Sequence, residues 1–225
     1  MNTVPEDAWR LLSPALTDSR REKLFAAACK RTFKVQLVIQ DVHQPHNISA
    51  CLRTAEAFGI QKCHIVSHKT KFRASTVARG VHHWIELIDH PSIEECAQYI
   101  RAQNIKIALA YPQSDAYTLA ELPITADSSI ALVFGNEHAG LDEKWLEFAD
   151  YSFAIPMQGL VESLNISVSA AISLFVTSSR MQNINNADKY FLSLQEREVL
   201  LNSWAFAQFP QAQEQLEILR QKPYL

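Results

Sequence analysis

The middle of the chain alternates between short apolar runs and longer stretches in which apolar residues recur every three or four positions. The short runs predict buried strands, and they cover residues 35–39, 62–67, 81–88, 106–111, 130–134 and 151–155. The longer stretches predict helices, at residues 47–57, 91–104, 142–149 and 165–181. Strands that alternate with helices are typical of an α/β fold built on a mostly parallel sheet.

Both ends of the chain carry helical patterns without strands. Residues 6–31 predict one or two amphipathic helices, and residues 188–221 predict a helical tail. We therefore expect an N-terminal helical extension at 1–34, an α/β core at 35–181 and a C-terminal helical extension at 182–225. A chain of 225 residues, 48% of them hydrophobic, is long enough to bury one such core.

Two asparagines stand where helices are expected to begin. Asn47 follows Pro45, which disfavours helix in the residue before it, and Asn is a preferred N-cap residue. Asn47 is therefore predicted to cap a helix that runs through Ala57 and ends at Gly59. Asn165 is predicted to cap the helix that follows it.

The N-terminus and the cysteines indicate a soluble protein in a reducing compartment. The N-terminal stretch lacks the apolar core of a signal peptide, and no apolar run approaches membrane-spanning length. The four cysteines form no CxxC pair, and His64 and His68 lie four apart across a strand and a loop rather than on one helical face. We therefore expect a cytoplasmic protein with no membrane contact, no disulfide framework and no bound metal.

The charge is unevenly distributed along the chain. Residues 19–83 hold 12 Lys and Arg against 3 acidic residues, a net of +9, whereas the remainder holds 9 against 21, a net of −12. Six of the eight histidines also lie in this basic segment. Asymmetry of this size indicates a surface for a polyanion, although a solvated basic face neutralised by the acidic part of the fold would give the same count.

Several common chemistries are excluded by the glycine and serine patterns. None of the five glycines forms a GxGxxG turn, so an ordinary dinucleotide site is not predicted. Gly135 and Gly140 share the outer spacing of a P-loop, but Leu141 and Asp142 stand where Lys and Ser or Thr would bind phosphate and magnesium. A GxSxG nucleophile elbow is also absent.

Two loops that follow apolar strands hold the candidate chemistry. The loop Gly135–Gly140 places Glu137 between two glycines, and the loop 156–165 ends on a Ser-Leu-Asn sequence. Polar, glycine-bearing loops at strand ends are where an open α/β sheet binds ligands. We therefore expect a small molecule to bind between these two loops.

Arg53 lies inside an otherwise apolar helical pattern. A buried arginine needs a partner, and two readings remain open. Glu56, three residues further on, would pair with it across the helix surface. Alternatively, Arg53 faces an anionic substrate such as an RNA phosphate.

Three segments resemble the three motifs of the SPOUT-superfamily RNA ribose 2′-O-methyltransferases. They are Asn47–Thr54, Phe134–Gly140 and Ile155–Val168, and their order and spacing match over about residues 35–180. The flanking helices and the length are most similar to the branch of tRNA (guanosine-2′-O-)-methyltransferases. The resemblance implies an α/β fold whose C-terminal part threads into a trefoil knot, a rare exception to unknotted connectivity. It also implies S-adenosylmethionine as cofactor and a homodimer whose active site draws on both subunits.

The resemblance also assigns roles to individual residues. The implied catalytic and substrate-facing residues are Arg53, Asn47, Glu137, Ser163 and Asn165. The implied cofactor-binding residues are Tyr111, Phe134, Gly135, Ile155, Met157 and Leu164. The basic side chains expected to hold the tRNA backbone are Arg20, Arg21, Lys23, Lys30, Arg31, Lys69, Lys71, Arg73 and Arg79.

The implied reaction is methylation of a tRNA ribose 2′-oxygen, at the D-loop guanosine of position 18. Arg53 would assist proton loss or, since guanidinium stays protonated, stabilise the developing alkoxide. The alternatives are 2′-O-methylation of another tRNA position or of ribosomal RNA, or an RNA-binding factor without catalysis. An enzyme acting on a small anionic metabolite would leave the basic segment unexplained.

Overall fold

The computed structural model describes residues 4–67, 80–113, 115–184 and 187–221. By internal contacts the chain divides into two compact units. One unit is Thr32–Tyr190, and the other combines Met1–Arg31 with Phe191–Leu225. The sequence-based boundaries at 34 and 181 therefore differ from the unit boundaries at 31 and 190, and both terminal extensions belong to one unit.

The larger unit is built on a parallel sheet. In the described part of the chain the sheet has seven strands: β1 Val35–Gln40, β2 Lys62–Val66, β3 Glu86–His90, β4 Lys106–Ala110, β5 Tyr117–Thr118, β6 Ile130–Phe134 and β7 Tyr151–Ala154. Their order across the sheet is β3-β2-β1-β6-β4-β7-β5, and every pair of neighbours is parallel. The predicted α/β fold with a mostly parallel sheet is confirmed.

Two details of the strands differ from the prediction. The strand expected within 81–88 begins at Glu86 and runs to His90, and Val81–His83 before it forms a 3-10 turn. The two-residue strand β5 was not expected, since a pair of residues leaves no periodic pattern in the sequence. The helix expected at 142–149 is a 3-10 segment, Glu143–Glu147, capped by the side chain of Asp142.

In the described ranges, helices connect strands of the larger unit and also form most of the second unit. They are α1 Ala8–Leu12, α2 Asp18–Ala28, α3 Pro45–Ala57, α4 Ile93–Arg101, α5 Ile166–Ile184, α6 Ala187–Tyr190, α7 Leu194–Ala207 and α8 Ala212–Gln221. None of them is both long enough and apolar enough to cross a membrane.

The core of the larger unit forms where helices cover the strands. β1 and β6 are buried along their whole length, as continuous apolar runs in a parallel sheet predict. One cluster joins Val38, Val133, Ile93 and Trp145, all fully buried. Each such aliphatic side chain contributes about 1.5–3 kcal/mol to folding. Elsewhere in the unit, α3 packs against α5, which brings two of the three family-like motifs side by side.

The terminal unit is a separate small helical core. Ala8, Leu12, Ala205 and Leu216 are buried together in it. The side chain of Asn202 ties the first residues of the chain to α7, since its oxygen accepts from the Trp9 N–H at 2.7 Å and its amide donates to a backbone carbonyl at 2.8 Å. The helical tail predicted at 188–221 contains α7 and α8.

Candidate active site

The loop after β6 closes on itself. Asn136 and Gly140 exchange two backbone hydrogen bonds, at 2.8 and 3.0 Å. The Asn136 side-chain oxygen also accepts from the N–H groups of His138, at 2.8 Å, and Ala139, at 3.1 Å. A Cβ atom on Gly135 would lie 2.2 Å from the carbonyl oxygen of Gly140, so only glycine fits there. The loop therefore has one compact conformation that requires its glycine.

Two adjoining cavities lie between this loop and the loop after β7. The larger, about 460 Å³, lies between residues 134–141 and residues 163–166. The smaller, about 180 Å³, is bounded by Pro112, by residues 153–157 and by residues 162–164. Ala110, at the end of β4, lines both. The expected ligand position between the two loops, at the carboxyl ends of the strands, thus coincides with a two-part cavity of the size that holds cofactors.

Hydrogen bonds join the three family-like motifs at the larger cavity. The Asn47 side-chain amide donates to Glu137 Oε1 at 2.8 Å, and the Asn165 amide donates to Asn47 Oδ1 at 3.3 Å. Asn165 Oδ1 accepts from the Ser167 N–H at 2.8 Å, which confirms Asn165 as the cap of α5. Asn47 is not a cap, contrary to the prediction. The helix begins at Pro45 with Gln44 at the N-cap, and the Asn47 amide serves this network instead.

Glu137 is held as a carboxylate. Burial alone would raise its pKa, but hydrogen bonds from Asn47, from its own N–H and from the N–H groups of His43 and Gln44 outweigh that effect and lower it. His43 and Gln44 immediately precede α3, where a negative charge is favourable. Glu137 therefore connects the loop after β6 to the start of the helix that carries Arg53.

Arg53 is exposed rather than buried. In the described ranges its guanidinium has no hydrogen bond or ion pair, so the pairing with Glu56 is not formed. The apolar pattern of α3 nonetheless reflects real burial, since Ile48, Cys51 and Leu52 are in the core. Among the residues that the structure describes, Arg53 lies on the solvent side of that helix without an ionic partner.

The structure brings most of the predicted site residues together. Glu137, Ser163 and Asn165 line the larger cavity, together with Phe134, Gly135 and Leu164. Ile155, Met157 and Leu164 line the smaller one. Arg53 and Tyr111 line neither, and Tyr111 packs instead against the apolar cluster that contains Trp145. Asn136 also lines the larger cavity but was not predicted as a site residue. Its position directly after Gly135 was the feature of the sequence that could have indicated it.

The predicted RNA-binding cations are in several different environments. Lys23 and Lys30 are exposed, Arg20 donates to Gln208, and Arg21 pairs with Asp18 at 2.7 Å. Arg31 is only 3% exposed, with its guanidinium 5.2 Å from the centre of the Trp204 ring, so it is packed inside the terminal unit. The four remaining predicted cations lie outside the described residues; they are Lys69, Lys71, Arg73 and Arg79.

A buried polar group lies on the α4 side of the sheet. The ligand atoms of His64, His90 and Cys96 lie within 4.8 Å of one another. His64 is hydrogen-bonded at both ring nitrogens, to His90 at 2.9 Å and to Gln36 at 2.8 Å. Burial, and then the neighbouring His90 and Lys62, lower the pKa of His64 to about 3, so its ring is neutral. These bonds satisfy the group as part of the core, and the expectation of no metal stays a prediction.

The fold and the cavity together define a class of protein. It is an α/β protein with one parallel sheet and a cavity of cofactor size at the carboxyl ends of its strands, without a glycine-rich dinucleotide turn. The sequence profile described as the SpoU rRNA Methylase family matches residues 34–175. The chain belongs to this family, and it is therefore a methyltransferase that acts on RNA.

Individual relatives agree with this assignment. The chain is 30% identical over 189 residues to a tRNA (guanosine(18)-2′-O)-methyltransferase of Thermus thermophilus, covering 84% of this chain and 96% of that protein. It is 28% identical over 169 residues to the Escherichia coli protein of the same name, covering 75% and 73%.

Solved structures share the fold. The TrmH/SpoU tRNA modifying enzyme of A. aeolicus has a TM-score of 0.72 at 23% identity, over 85% of this chain and 97% of that one. The SpoU methyltransferase AviRb from Streptomyces viridochromogenes, solved in complex with the cofactor AdoMet, has a TM-score of 0.59 at 23% identity, over 67% and 58%.

Proposed function

We propose that this protein transfers a methyl group from S-adenosylmethionine to the ribose 2′-oxygen of the D-loop guanosine at position 18 of tRNA. The observation that carries the proposal is the hydrogen-bonded line Glu137–Asn47–Asn165, which joins all three motifs at one cavity. The names of the T. thermophilus and E. coli relatives support the choice of tRNA and of position 18.

S-adenosylmethionine is the methyl donor, as in the AviRb complex. The cavity fits it, because an apolar face can take the adenine and polar atoms lie beside it. Ile155, Met157 and Leu164 would form the adenine slot, and the bare backbone at Gly135 allows close approach. When bound, the cofactor supplies an electrophilic methyl group. Glu137 and Glu162, which line the two cavities, are the acidic groups that would face its positive sulfonium.

Arg53 is the proposed catalytic cation. The 2′-hydroxyl loses its proton as its oxygen attacks the methyl carbon, and a nearby positive charge stabilises the oxygen anion as it develops. Guanidinium is a poor proton acceptor, so we assign the proton to an RNA phosphate held by Arg53. Ser163 and Asn165 line the cavity where the ribose would lie, and Asn47 positions Asn165.

Arg53 and Asn47 point in different directions from α3. They are six residues apart, which on an α-helix is about 9 Å along the axis and an angular separation of about 120° around it. Arg53 of one chain therefore does not share a face with the network of its own chain. This supports a homodimer in which Arg53 of one subunit completes the cavity of the other.

Mixed dimers test this arrangement. Combining Arg53→Ala subunits with Gly135→Ala subunits, which are expected to lose cofactor binding, would give heterodimers with one doubly changed site and one intact site. We expect about half of the wild-type activity per heterodimer. Heterodimers as inactive as the two parent variants would show instead that Arg53 acts within its own chain.

The remaining family features are also proposals. We infer that the chain after β7 threads into a trefoil knot. The contact that supports it is that of Arg180, on α5, which donates to the carbonyls of Leu119 and Leu122 in the connection before β6. We assign the terminal helices to tRNA binding, with Lys23, Lys30, Arg20 and Arg21 as phosphate contacts in the cytoplasm.

The test is transfer of labelled methyl to unmodified tRNA transcripts, followed by mapping of the modified nucleoside. We expect 2′-O-methylguanosine at position 18. Methylation at another tRNA position would support methyl transfer to tRNA but overturn the assignment to position 18. Methylation of ribosomal RNA alone would overturn the tRNA assignment, and cofactor binding without transfer to any RNA would favour a binding role.

A further inference from the structure

A buried glutamine outside the three motifs is hydrogen-bonded both to the end of the loop after β6 and to the turn after β1. Gln40, the last residue of β1, is 4% exposed. Its Oε1 accepts from the Asp142 N–H at 3.1 Å, and its amide donates to Asp41 Oδ2 at 3.3 Å. Asp142 is the residue where the loop 135–142 ends. One side chain therefore connects the end of that loop to the residue that follows β1.

Asp41 has a constrained backbone in the same place. Its φ is +48°, which few residues other than glycine adopt. Its N–H donates to the carbonyl of Val66 at 2.9 Å, and its own carbonyl accepts from the Asn136 side-chain amide at 2.6 Å. Asn136 is near the start of the loop 135–142. The turn after β1 is thus bonded to this loop near the start, through Asn136, and at the end, through Gln40.

The middle of the loop is bonded to the same turn. The Glu137 carboxylate accepts from the Asn47 side-chain amide at 2.8 Å, and the backbone N–H groups of His43 and Gln44 help to lower its pKa. The segment 40–47 and the loop 135–142 therefore form one hydrogen-bonded assembly, which we call the β1–β6 clamp. The clamp carries α3, and hence Arg53, on one side and lines the cavity on the other.

We propose that Gln40 is a positioning residue, which through the β1–β6 clamp holds the cofactor-binding loop and the start of the Arg53 helix in the arrangement that methyl transfer needs. This inference rests on the proposed function. Gln40 touches neither cavity, so it acts through Asp142 and Asp41. Displacement of reacting groups by about 1 Å can slow an enzyme about 100-fold, so loss of the clamp should affect turnover more than binding.

The same strand offers a matched control. Gln36, four residues before Gln40 on β1, is also fully buried and also uses its amide in two contacts, with His64 at 2.8 Å and with the Phe33 carbonyl at 3.5 Å. It lies at the other end of the strand, roughly 13 Å away at 3.3 Å per residue. Gln40→Met and Gln36→Met each replace a buried amide by an unbranched apolar side chain of similar length.

The experiment measures kcat, KM for tRNA, cofactor affinity by calorimetry and the thermal midpoint for both variants of the full chain. We expect both midpoints to fall by similar amounts, kcat to fall about 10- to 100-fold in Gln40→Met, and kcat of Gln36→Met to stay within about two-fold once folding is complete. A third variant, Gln40→Glu combined with Asp41→Asn, keeps the oxygen that accepts from Asp142 without setting two carboxylates against each other, and should recover part of the lost kcat.

Equal kcat in the two methionine variants would overturn the proposal, since Gln40 would then be a merely structural residue. If the double variant Gln40→Glu/Asp41→Asn had a kcat as low as that of Gln40→Met, the role of the Asp142 contact would be overturned. The proposed function is tested separately, on the wild-type chain, and it fails if that chain methylates no RNA. In that case, an altered cofactor affinity in Gln40→Met but not in Gln36→Met would still support the β1–β6 clamp.

Discussion

At the scale of single residues, Arg53 shows both what its sequence context indicated and what it could not. The motif around Arg53 and the basic segment indicated a cation that meets an anionic substrate. The apolar neighbours suggested burial, which is wrong, because the helix presents position 53 to solvent while Ile48 and Leu52 face the core. A one-dimensional pattern does not state which face of a helix a second helix will cover.

Replacing Arg53 should separate binding from chemistry. In Arg53→Ala we expect transfer to fall by about 10²–10³-fold, as when a single group that stabilises transition-state charge is removed, with unchanged cofactor affinity because Arg53 lines neither cavity. Arg53→Lys keeps the charge but not the planar fork of the guanidinium. Its rate of methyl transfer should lie between those of the wild type and Arg53→Ala. Rapid-quench turnover and calorimetry measure the two quantities. Near-normal turnover in Arg53→Ala would remove Arg53 from the mechanism.

Asn47 shows a second limit at this scale. An asparagine after a proline was predicted as a helix cap, but its amide bonds Glu137, which lies 90 positions further along the chain. Such a partner is fixed only when β6 lies beside β1. Asn165 was predicted correctly because capping is local.

At the scale of elements, the loop 135–142 carries the strictest geometric requirement of the site. Its glycines and its position after a buried strand were visible in the sequence. The hydrogen bonds between this loop and the turn after β1 were not visible in the sequence, because Gln40 and Asp41 form no motif and simply end a strand. Asp41, at a positive φ, is bonded to Val66 at the end of β2 and to Asn136 in this loop, and both partners are remote in sequence.

Gly135→Ala should therefore abolish the cofactor site. The added Cβ would lie 2.2 Å from the Gly140 carbonyl oxygen, so the loop must open. We expect cofactor affinity, measured by calorimetry, to fall by at least about ten-fold, equivalent to about 1.4 kcal/mol. Gly159→Ala is the control, because a Cβ there meets nothing within 4 Å. Equal affinities in the two variants would contradict the assigned role of the loop.

At the scale of the whole molecule, alternating strand and helix patterns were sufficient to predict a parallel α/β core. The strand order β3-β2-β1-β6-β4-β7-β5 was not predicted, since it depends on which crossover connections pack best. The joining of both chain ends in one unit was also missed. It rests on pairs such as Trp9 with Asn202, which lie 193 positions apart.

Stability should depend on pH through a buried histidine. His64 has a pKa of about 3 in the folded protein against an ordinary value of 6.5. Between these values the unfolded chain binds a proton that the folded one does not, so the free energy of unfolding falls as pH is lowered from about 6.5 toward 3. In His64→Gln the decline in urea-measured stability over this range should be shallower. An equally steep decline would show that other groups cause it.

The proposed acceptor is one particular ribose oxygen, so removing that single atom from the RNA gives a decisive test. Two tRNA transcripts would be compared with the unmodified one, the first with 2′-deoxyguanosine at position 18 and the second with a 2′-deoxynucleotide at position 17. We predict that labelled methyl from S-adenosylmethionine enters the second at close to the normal rate and does not enter the first at all. Undiminished transfer to the position-18 deoxy tRNA would contradict the account, because the attacking atom would then lie elsewhere.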